Sequence, residues 1–158
     1  MSKRLVLILL SLTLLSSCGF KLRGNFEMPD SLSQVVVDGG DRALVDQLKE
    51  MLVKSGSTVL DKGAEVASIN ITKSEFEREV LTTGSTGIAS SYTFRYLVDF
   101  NVTDAEGTVL QAPVTLNQLR NLSYEAGNEL SVEKEEEFLK EEMEKELSLQ
   151  IMRRLSRL

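Results

Sequence analysis

Histidine and tryptophan are absent from this sequence, which also contains a single cysteine and only two prolines. Without histidine, Ser–His and Cys–His nucleophilic systems are excluded, and so is the commonest metal ligand of proteins. One cysteine has no partner for an internal disulfide. Catalysis is therefore not expected, and binding is the better hypothesis.

Two local patterns suggest chemistry but are better explained as structure. Residues 84–87 are glycine-rich but lack the spacing and the lysine of a phosphate-binding P-loop, so a hairpin loop is predicted there. No carboxylate is flanked by apolar residues in a way that suggests a raised pKa, so no catalytic residue and no metal site are predicted. A glutamate run could form a cation site, but a solvated first helical turn is the better interpretation for Glu133, Glu135, Glu136 and Glu137.

The chain is acidic, with 18 lysines and arginines against 24 aspartates and glutamates in 158 residues, a formal charge of −6. Nucleic acids attract cationic surfaces, so no nucleic-acid partner is expected. The length is sufficient for one ordinary domain with one hydrophobic core.

The longest apolar run lies at the N-terminus. Residues 5–15 are almost wholly apolar and follow Lys3 and Arg4. The run is too short for a permanent transmembrane helix, which needs about 20 residues, and it fits the apolar core of a secretory signal. Residues 1–17 are therefore predicted to be a signal peptide. Its removal takes away two cations and no acid, which moves the formal charge from −6 to −8.

The lone Cys18 follows Leu15-Ser16-Ser17, and this segment resembles the lipobox of bacterial lipoproteins. The resemblance implies cleavage before Cys18, S-diacylglycerol on its thiol and an N-palmitoyl chain on its new amine, with no other cofactor. Gly19 stands where an aspartate would retain an enterobacterial lipoprotein in the inner membrane. The resemblance therefore implies a lipid anchor in the outer membrane, on its periplasmic side. A signal peptide with an incidental cysteine and a cytosolic chain with an apolar start are the alternatives.

Hydrophobic periodicity predicts a strand and a helix in the first third of the domain. Residues 33–38 form a short β-branched run that is typical of a strand. Residues 38–41 are a turn with capping residues, helical spacing follows, and Ser55-Gly56 predicts the end of this helix. Alternation of period two comes next, and its phase slips between Thr72 and Glu75, which predicts a β-bulge. The apolar face of the helix comprises Leu44, Val45, Leu48, Met51 and Leu52.

The clearest alternation covers residues 92–102 and predicts a long strand with one apolar side. A loop is predicted at residues 82–91 and a hairpin turn at residues 104–107. In the strand that follows, Pro113 cannot donate to a ladder, so an edge position or a bulge is expected. A polar connection at residues 120–128 should then lead to a C-terminal helix capped by Ser131. The apolar stripe of that helix comprises Leu139, Met143, Leu147, Ile151 and Leu155, widened by Phe138, Met152 and Leu158.

These elements predict an α+β fold, with two helices packed on one face of a four-stranded mixed sheet in the order β-α-β-β-β-α. The predicted organisation is a signal peptide at residues 1–17, a lipidated N-terminal segment at 18–32 and a single α+β domain at 33–158. A sheet covered on one side leaves its other face and its edges free for a partner.

The segment that begins at Cys18 carries a family resemblance. Cys18-Gly19-Phe20-Lys21-Leu22-Arg23-Gly24 resembles the start of the mature lipopolysaccharide-assembly lipoproteins of the LptE family. Those proteins open with Cys-Gly, an aromatic residue, a polar or basic residue, Leu and Arg. The order of elements agrees over nearly all of the mature chain. The resemblance implies the same fold, the absence of catalysis and a membrane-proximal motif comprising Phe20, Lys21, Leu22 and Arg23.

The resemblance also implies a partner and a ligand. LptE forms a one-to-one complex with the outer-membrane β-barrel LptD, sits inside it as a plug, and the pair inserts lipopolysaccharide into the outer leaflet. Lipopolysaccharide binding is associated with basic residues near the ends of the sheet, which implies Arg120, placed after the last strand, and more weakly Arg78. The predicted loop at residues 82–91 contains no cation and departs from that pattern.

Two interpretations stay open on the residues alone. Any one of the cations, Arg78 and Arg120 included, can be read as a solvated surface charge. The alternative function is a free lipid-binding lipoprotein that holds or shuttles an amphiphile, and it requires an internal apolar cavity.

Overall fold

The computed structural model describes residues 26–63, 65–83, 89–123 and 129–158, and no side chain is described at 89–90 or 129–131. A single 3₁₀ turn, Asp30–Leu32, precedes the regular elements. Those elements are β1 (Gln34–Gly39), α1 (Arg42–Lys54), β2 (Thr58–Leu60), β3 (Ala67–Thr83), β4 (Ala89–Thr103), β5 (Val109–Ser123) and α2 (Glu129–Leu155).

The five strands form one mixed sheet in the order β2-β1-β3-β4-β5. Strand β1 pairs in parallel with β2 and with β3, whereas β3, β4 and β5 pair antiparallel. The α+β class, the mixed sheet and the two helices are confirmed. The predicted four strands and the order β-α-β-β-β-α are wrong, because β2 is an additional strand between α1 and β3. Three residues are too few for a period of two to be visible in the sequence.

Local sequence determines where α1 begins and ends, as predicted. Asp41 caps the first turn, because its side chain accepts a hydrogen bond from the Ala43 backbone N–H at 3.0 Å. At the other end Gly56 has a φ of 92°, in the left-handed region that favours glycine. The Ser57 backbone N–H then donates to the Leu52 carbonyl at 3.0 Å and closes the helix.

Two irregularities in the strands lie where the pattern predicts them. In β3 the pairing with β4 shifts between Ile71 and Lys73, which places a bulge at the start of the interval predicted from the phase slip. The pairing of β4 with β5 shifts between Phe100 and Val102, and β5 has the extra residue beside Pro113. Strand β5 is also an edge strand, so both expectations for Pro113 hold.

Three predicted boundaries are wrong because strands and helix continue through polar residues. Strand β3 extends to Thr83 and β4 begins at Ala89, so both ends of the predicted loop at 82–91 are strand, while residues 84–88 lie outside the described ranges. Strand β5 continues to Ser123 and therefore contains Arg120. Helix α2 begins before Ser131, which is not its N-cap. Ladder hydrogen bonds satisfy the backbone whatever the polarity of the side chains, so polar composition underestimates strand length.

Both helices cover the same face of the sheet, and their apolar stripes form one core with it. Fully buried side chains of β4, such as Phe94 and Phe100, belong to one core with fully buried residues of both helices. Phe138 is 54% exposed, and Leu158 is 40% exposed and lies beyond the end of α2, so neither widens the stripe as predicted. The predicted stripe is otherwise confirmed: Met143, Leu147, Ile151, Met152 and Leu155 are fully buried and Leu139 is partly buried against the core.

The opposite face of the sheet carries the polar half of the alternation, and neither helix covers it. Arg95 projects from this face, with its Nη2 3.9 Å from Glu79 Oε2. Lys73 Nζ lies 2.6 Å from Glu75 Oε2 on the same face. Within the described ranges, no helix combines the length and the apolar character needed to cross a bilayer.

Candidate functional site

Three neighbouring strands bring the two predicted lipopolysaccharide-binding cations into one row. Arg78 of β3 lies opposite Phe94 of β4, and Phe94 lies opposite Arg120 of β5. Cross-strand partners point to the same face of a sheet, and Phe94 is fully buried beneath the helices. Arg78 and Arg120 therefore flank a buried ring on the helix-covered face, one on each side of β4.

Arg78 is held between a carboxylate of α2 and an aromatic ring of β4. Its Nη1 donates to Glu136 Oε2 at 2.6 Å. Its guanidinium carbon lies 5.0 Å from the centroid of the Tyr92 ring, within cation–π range. The side chain remains 45% exposed, so a ligand can reach the guanidinium. The Arg78 groove, an open depression of about 420 Å³, is lined by Phe76, Arg78, Glu133, Glu136, Glu137 and Lys140.

Arg120 makes the corresponding contact on the other side of β4. Its Nη2 donates to the Glu146 carboxylate of α2. Its Nη1 donates to the Gln118 side-chain oxygen at 3.3 Å and to the Leu119 carbonyl at 3.0 Å. The structure thus places Arg120 inside β5 and not after the last strand. The Arg120 groove, an open depression of about 350 Å³, is lined by Arg120, Glu142, Lys145, Glu146, Leu149 and Arg153.

The two grooves differ in the sign of their net charge. The Arg78 groove has two cations against three glutamates, whereas the Arg120 groove has three cations against two glutamates. Guanidinium and ammonium groups are the preferred partners of phosphate oxygens. Of the two, the Arg120 groove is therefore the better match to a phosphorylated ligand.

Four aromatic rings form the floor between the grooves. Phe76 and Phe94 stack with their centroids 5.7 Å apart and an interplanar angle of 6°. Tyr96 meets Phe76 nearly edge-on, with centroids also 5.7 Å apart. Tyr92 is tilted against Phe94 at 6.3 Å. These geometries are favourable for aromatic pairs, and Phe76 gives the Arg78 groove an apolar floor.

A buried carboxylate lies next to this floor. Glu144 of α2 is only 5% exposed, and burial raises the pKa of its carboxyl, while the charge of Lys140 lowers it. Lys140 Nζ lies 3.6 Å from Glu144 Oε1 and 3.9 Å from Asp41 Oδ2, so the lysine links α2 to the capped start of α1. Burial also raises the pKa of Tyr96 to about 12, and the Tyr96 hydroxyl lies 3.3 Å from that of Ser74.

Sequence reasoning missed the charged side chains that α2 contributes to this site. The prediction that no carboxylate has a raised pKa is wrong for Glu144, and the predicted solvated turn is incomplete because Glu136 pairs with Arg78. The available signal was helical spacing, since Glu136, Lys140 and Glu144 recur every fourth position and share a helix face. Spacing does not reveal which strand residues that face meets.

Several predicted residues lie outside the described ranges, so their assignments stay predictions. They are the lipidated Cys18 and the membrane-proximal motif of Phe20, Lys21, Leu22 and Arg23. Among the residues that the structure describes, no set of three or more His, Cys, Asp or Glu side chains is arranged to hold a metal ion.

The same two-layer architecture occurs in solved bacterial lipoproteins. An uncharacterised lipoprotein B from Nitrosomonas europaea superposes with a TM-score of 0.70 at 25% identity, covering 87% of this chain and 90% of that one. A minor lipoprotein from Acinetobacter baumannii superposes with a TM-score of 0.66 at 20% identity, covering 79% of this chain and 91% of that one. The fold and the site thus define a two-layer α+β domain of a class found in bacterial lipoproteins.

The family follows from the sequence comparison. The LptE family, described as lipopolysaccharide-assembly, matches residues 30–155, most of the chain. An LPS-assembly lipoprotein LptE from Yersinia enterocolitica is 24% identical over 161 residues, which cover 98% of this chain and 77% of that protein. The chain belongs to the LptE family, and the resemblance seen in the sequence is confirmed. This membership supports a role in lipopolysaccharide assembly and names no catalytic activity.

Proposed function

We propose that this chain is a non-enzymatic outer-membrane lipoprotein, anchored through Cys18 on the periplasmic side. It complexes with the β-barrel LptD as a plug and supports the assembly and insertion of lipopolysaccharide into the outer leaflet. The observation that carries the proposal is the family match over residues 30–155. The lipobox-like segment that ends at Cys18 supports the anchor.

The surface of the domain suits a plug. The lumen of an outer-membrane barrel is polar, so a protein that fills it needs a compact core and a hydrophilic exterior. Here the apolar side chains of the sheet lie under the two helices, and the uncovered face carries charged residues such as Lys73, Glu75 and Arg95. The lipid would hold the domain beside the mouth of the barrel and raise its effective concentration there.

The Arg120 groove is the proposed contact for lipopolysaccharide phosphates. The Arg120 guanidinium already binds the Glu146 carboxylate. A phosphate presents the same kind of acceptor oxygens with more charge. Binding would therefore exchange one anion for another without building a new pocket. Lys145 and Arg153, which line the same groove, would add attraction from α2. Arg78 is the weaker candidate, because glutamates outnumber cations in its groove.

The alternative, a free lipoprotein that holds an amphiphile, is supported less well. It needs an internal apolar cavity, and the space between helices and sheet is occupied by fully buried side chains such as Phe94, Phe100 and Met143. Bound lipid in a natively purified sample that lacks any barrel would favour this alternative.

Affinity purification tests the proposed complex. The full-length chain with a C-terminal tag, expressed with LptD of the same organism and extracted from outer membranes, should recover the barrel at a one-to-one ratio. Cys18→Ala should release the domain from the membrane. A tagged chain that runs without the barrel would contradict the complex, and continued membrane attachment of Cys18→Ala would contradict the anchor.

A matched pair of arginine variants tests the lipopolysaccharide contact. Arg120→Ala should weaken binding of purified lipopolysaccharide roughly tenfold, since one charge-assisted hydrogen-bonding group is lost. Arg42→Ala is the control, because Arg42 is 95% exposed on α1 and lines neither groove. Equal losses in the two variants would show a general charge effect and remove Arg120 from the site.

A further inference from the structure

The two edges of the sheet are protected to different degrees. An edge strand exposes backbone N–H and C=O groups that can pair with another chain, so natural proteins shorten edge strands, charge them or interrupt them with proline. Strand β2, at one edge, has only 3 residues. Strand β5, at the other edge, has 15 residues. The β5 side of the sheet is therefore the larger template for pairing.

Protection of β5 is confined to its first part, where Pro113 and the bulge beside it interrupt the edge. We call the outer side of residues 114–123 the β5 edge. This stretch contains no proline and no lysine, and it pairs with β4 in unbroken register. Among the described residues, no second strand pairs with it, and no backbone hydrogen bond outside the ladders involves it.

One carbonyl of this stretch accepts a hydrogen bond from a side chain. Arg120 Nη1 donates to the Leu119 carbonyl at 3.0 Å. A carbonyl oxygen has two lone pairs, so one such bond does not close the edge to a further strand. The backbone of the β5 edge is thus open to a neighbouring strand.

The charge pattern favours a second copy of the chain as that neighbour. The only charged residue of the β5 edge, Arg120, is paired with Glu146 of α2, so the edge brings no net charge to an interface. The whole chain has a formal charge of −6, and like charges oppose association through its acidic surfaces. A strand turned by a two-fold axis presents its own donors and acceptors in reverse order, which suits antiparallel pairing.

Leu119 sets the register of such a pairing. It lies opposite Arg95 on the uncovered face of the sheet and is 49% exposed. Directly opposed residues of an antiparallel pair point to the same face. A two-fold axis at Leu119 therefore places this leucine against its own copy and buries both side chains. The same axis places Asn117 against Asn121 of the other copy.

We propose that two copies of this chain pair antiparallel along their β5 edges, with Leu119 on the two-fold axis, to form one continuous sheet. The pairing is closed, because it leaves no free edge at β5 for a third copy. It would protect the edge from unrelated strands while the chain is outside its proposed complex. The inference does not depend on that complex, although the proposed anchor at Cys18 would raise the effective concentration of copies on one membrane.

Disulfide cross-linking in membranes tests the two-fold axis. Membranes of cells that express the full-length chain are treated with a mild oxidant and analysed on non-reducing gels. Leu119→Cys should give a covalent dimer that a reductant dissolves. Directly opposed Cα atoms are about 4.5–5.5 Å apart in an antiparallel pair, and this separation lies within the range of a disulfide.

A double variant tests the register. Asn117→Cys/Asn121→Cys should give a dimer, because each cysteine then faces the other position of the second copy. Asn117→Cys alone and Asn121→Cys alone should not. In each single variant the two cysteines are four residues out of register, roughly 13 Å at about 3.3 Å per residue, which is beyond the reach of a disulfide.

A charge at the axis should weaken the pairing. Leu119→Lys, added to the double cysteine variant, should lower the cross-linked fraction about tenfold, because two like charges replace two leucines that face each other. Leu119→Val, which keeps an apolar side chain, should retain most of it. Circular dichroism should show both variants folded, because Leu119 is at the surface.

Val109 provides the matched control. It is 57% exposed on the same strand but precedes Pro113, and the proposed register gives it no strand residue to face. Val109→Cys should therefore not cross-link, and Val109→Lys, added to the double cysteine variant, should leave the cross-linked fraction unchanged. The wild-type chain, whose only cysteine is Cys18, gives the background.

Three outcomes would overturn the proposal. The first is a Leu119→Cys chain that forms no dimer or dimerises no more than Val109→Cys does. The second is a dimer from Asn117→Cys alone, which would require another register. The third is a Leu119→Cys chain that cross-links to a different protein and not to its own copy. Recovery of the barrel tests the proposed function separately and is unaffected by any of these results.

Discussion

The two ends of the sheet carry different side chains on the helix-covered face: one end is apolar, and the other end also carries cations. We call the end of the sheet that contains the row Val37–Ile69–Val102 the near end, and the opposite end the far end. The near-end row crosses β1, β3 and β4, and all three of its side chains are buried and apolar. At the far end, the row Arg78–Phe94–Arg120 crosses β3, β4 and β5 and places a cation on each side of one buried ring. Both rows lie on the face that the helices cover.

The partners on α2 differ in the same way. Near its C-terminus Ile151 and Leu155 are fully buried in the core. Earlier in the helix, Glu136 and Glu146 bind the far-end arginines, and Glu144 is buried beside Tyr96. Apolar burial stabilises the fold at about 25 cal/mol per Å², whereas ion pairs of this exposure contribute little. The near-end row is therefore stabilised by apolar burial alone, whereas the far-end row adds charges to its buried ring that stability alone does not explain.

The largest expected effect on the free energy of unfolding comes from replacing one phenylalanine at each end of the sheet with alanine. Phe100→Ala should lower the free energy of unfolding by about 3–5 kcal/mol, because its side chain is fully buried and leaves a cavity. Phe76→Ala, at the far end, should cost clearly less, since Phe76 is only partly buried and lines an open groove. Urea denaturation followed by circular dichroism measures both. Equal losses would remove the distinction between the two ends.

A glycine at the near end tests how tightly the backbone is packed there. Gly39 has a φ of 75°, and a Cβ added to it would lie 2.2 Å from the Ile71 carbonyl oxygen, which is backbone and cannot move aside. Gly39→Ala should therefore cost about 2–3 kcal/mol in unfolding free energy. Gly63→Ala is the control, because Gly63 has a φ of 98° but nothing within 4 Å of the added carbon. It should lose only about 1 kcal/mol from the positive φ, and a Gly39 variant as stable as this control would contradict the packing.

Sequence reasoning was more successful at the near end, for a physical reason. Asp41, Gly56 and Pro113 act on the backbone next to them, so their effects on helix ends and bulges are readable from local order. The apolar stripe of α2 was readable as well, because burial of Met143, Leu147 and Ile151 imposes a helical period. The short strand β2 was not readable, since parallel pairing with β1 supplies what its three residues lack.

At the far end the prediction identified residues but not their relations. Arg78 and Arg120 were selected as cations, yet their place in one row depends on the register of three strands. Arg120 was expected after the last strand, because the polar residues around it look like a connection. The carboxylate partners of Arg120 and Arg78 lie 26 and 58 residues further along the chain, respectively. No local sequence pattern predicts a contact between residues so far apart in the chain.

A smaller effect with a definite pH dependence is expected from Glu144. Burial raises the pKa of its carboxyl in the folded state above the unfolded value of 4.5, Lys140 opposes the shift, and Asp41 and Glu141 add to it. Below pH 4.5 the Glu144 carboxyl is protonated in both the folded and the unfolded state, so it does not lower the free energy of unfolding. As pH rises through 4.5 and then through the raised pKa, the unfolded state releases its proton more readily, so wild type loses stability.

Glu144→Gln keeps the shape without the charge, so it isolates this contribution. The variant should unfold at higher urea concentration than wild type at pH 7, and the difference should vanish as pH falls below about 4.5. The comparison with Glu135→Gln, an exposed glutamate on the same helix that is not among the causes of the Glu144 shift, removes the effect of net charge. A constant difference from pH 4 to pH 8 would mean that the Glu144 charge is not buried in the folded protein.

The smallest effect is expected from the ion pair of Arg78, and it bears most directly on why the far end is charged. Arg78→Met keeps the aliphatic stem and removes both the hydrogen bond to Glu136 and the contact with the Tyr92 ring. The arginine is 45% exposed, so solvent screens the pair and the loss should be about 1 kcal/mol or less. Arg42→Met breaks an ion pair with Asp46 in which the arginine side chain is 95% exposed. This variant should show no measurable change in the free energy of unfolding. If Arg78→Met cost as much as Phe100→Ala, the far-end cations would be part of the stabilising core, and their availability to a ligand would lose its physical basis.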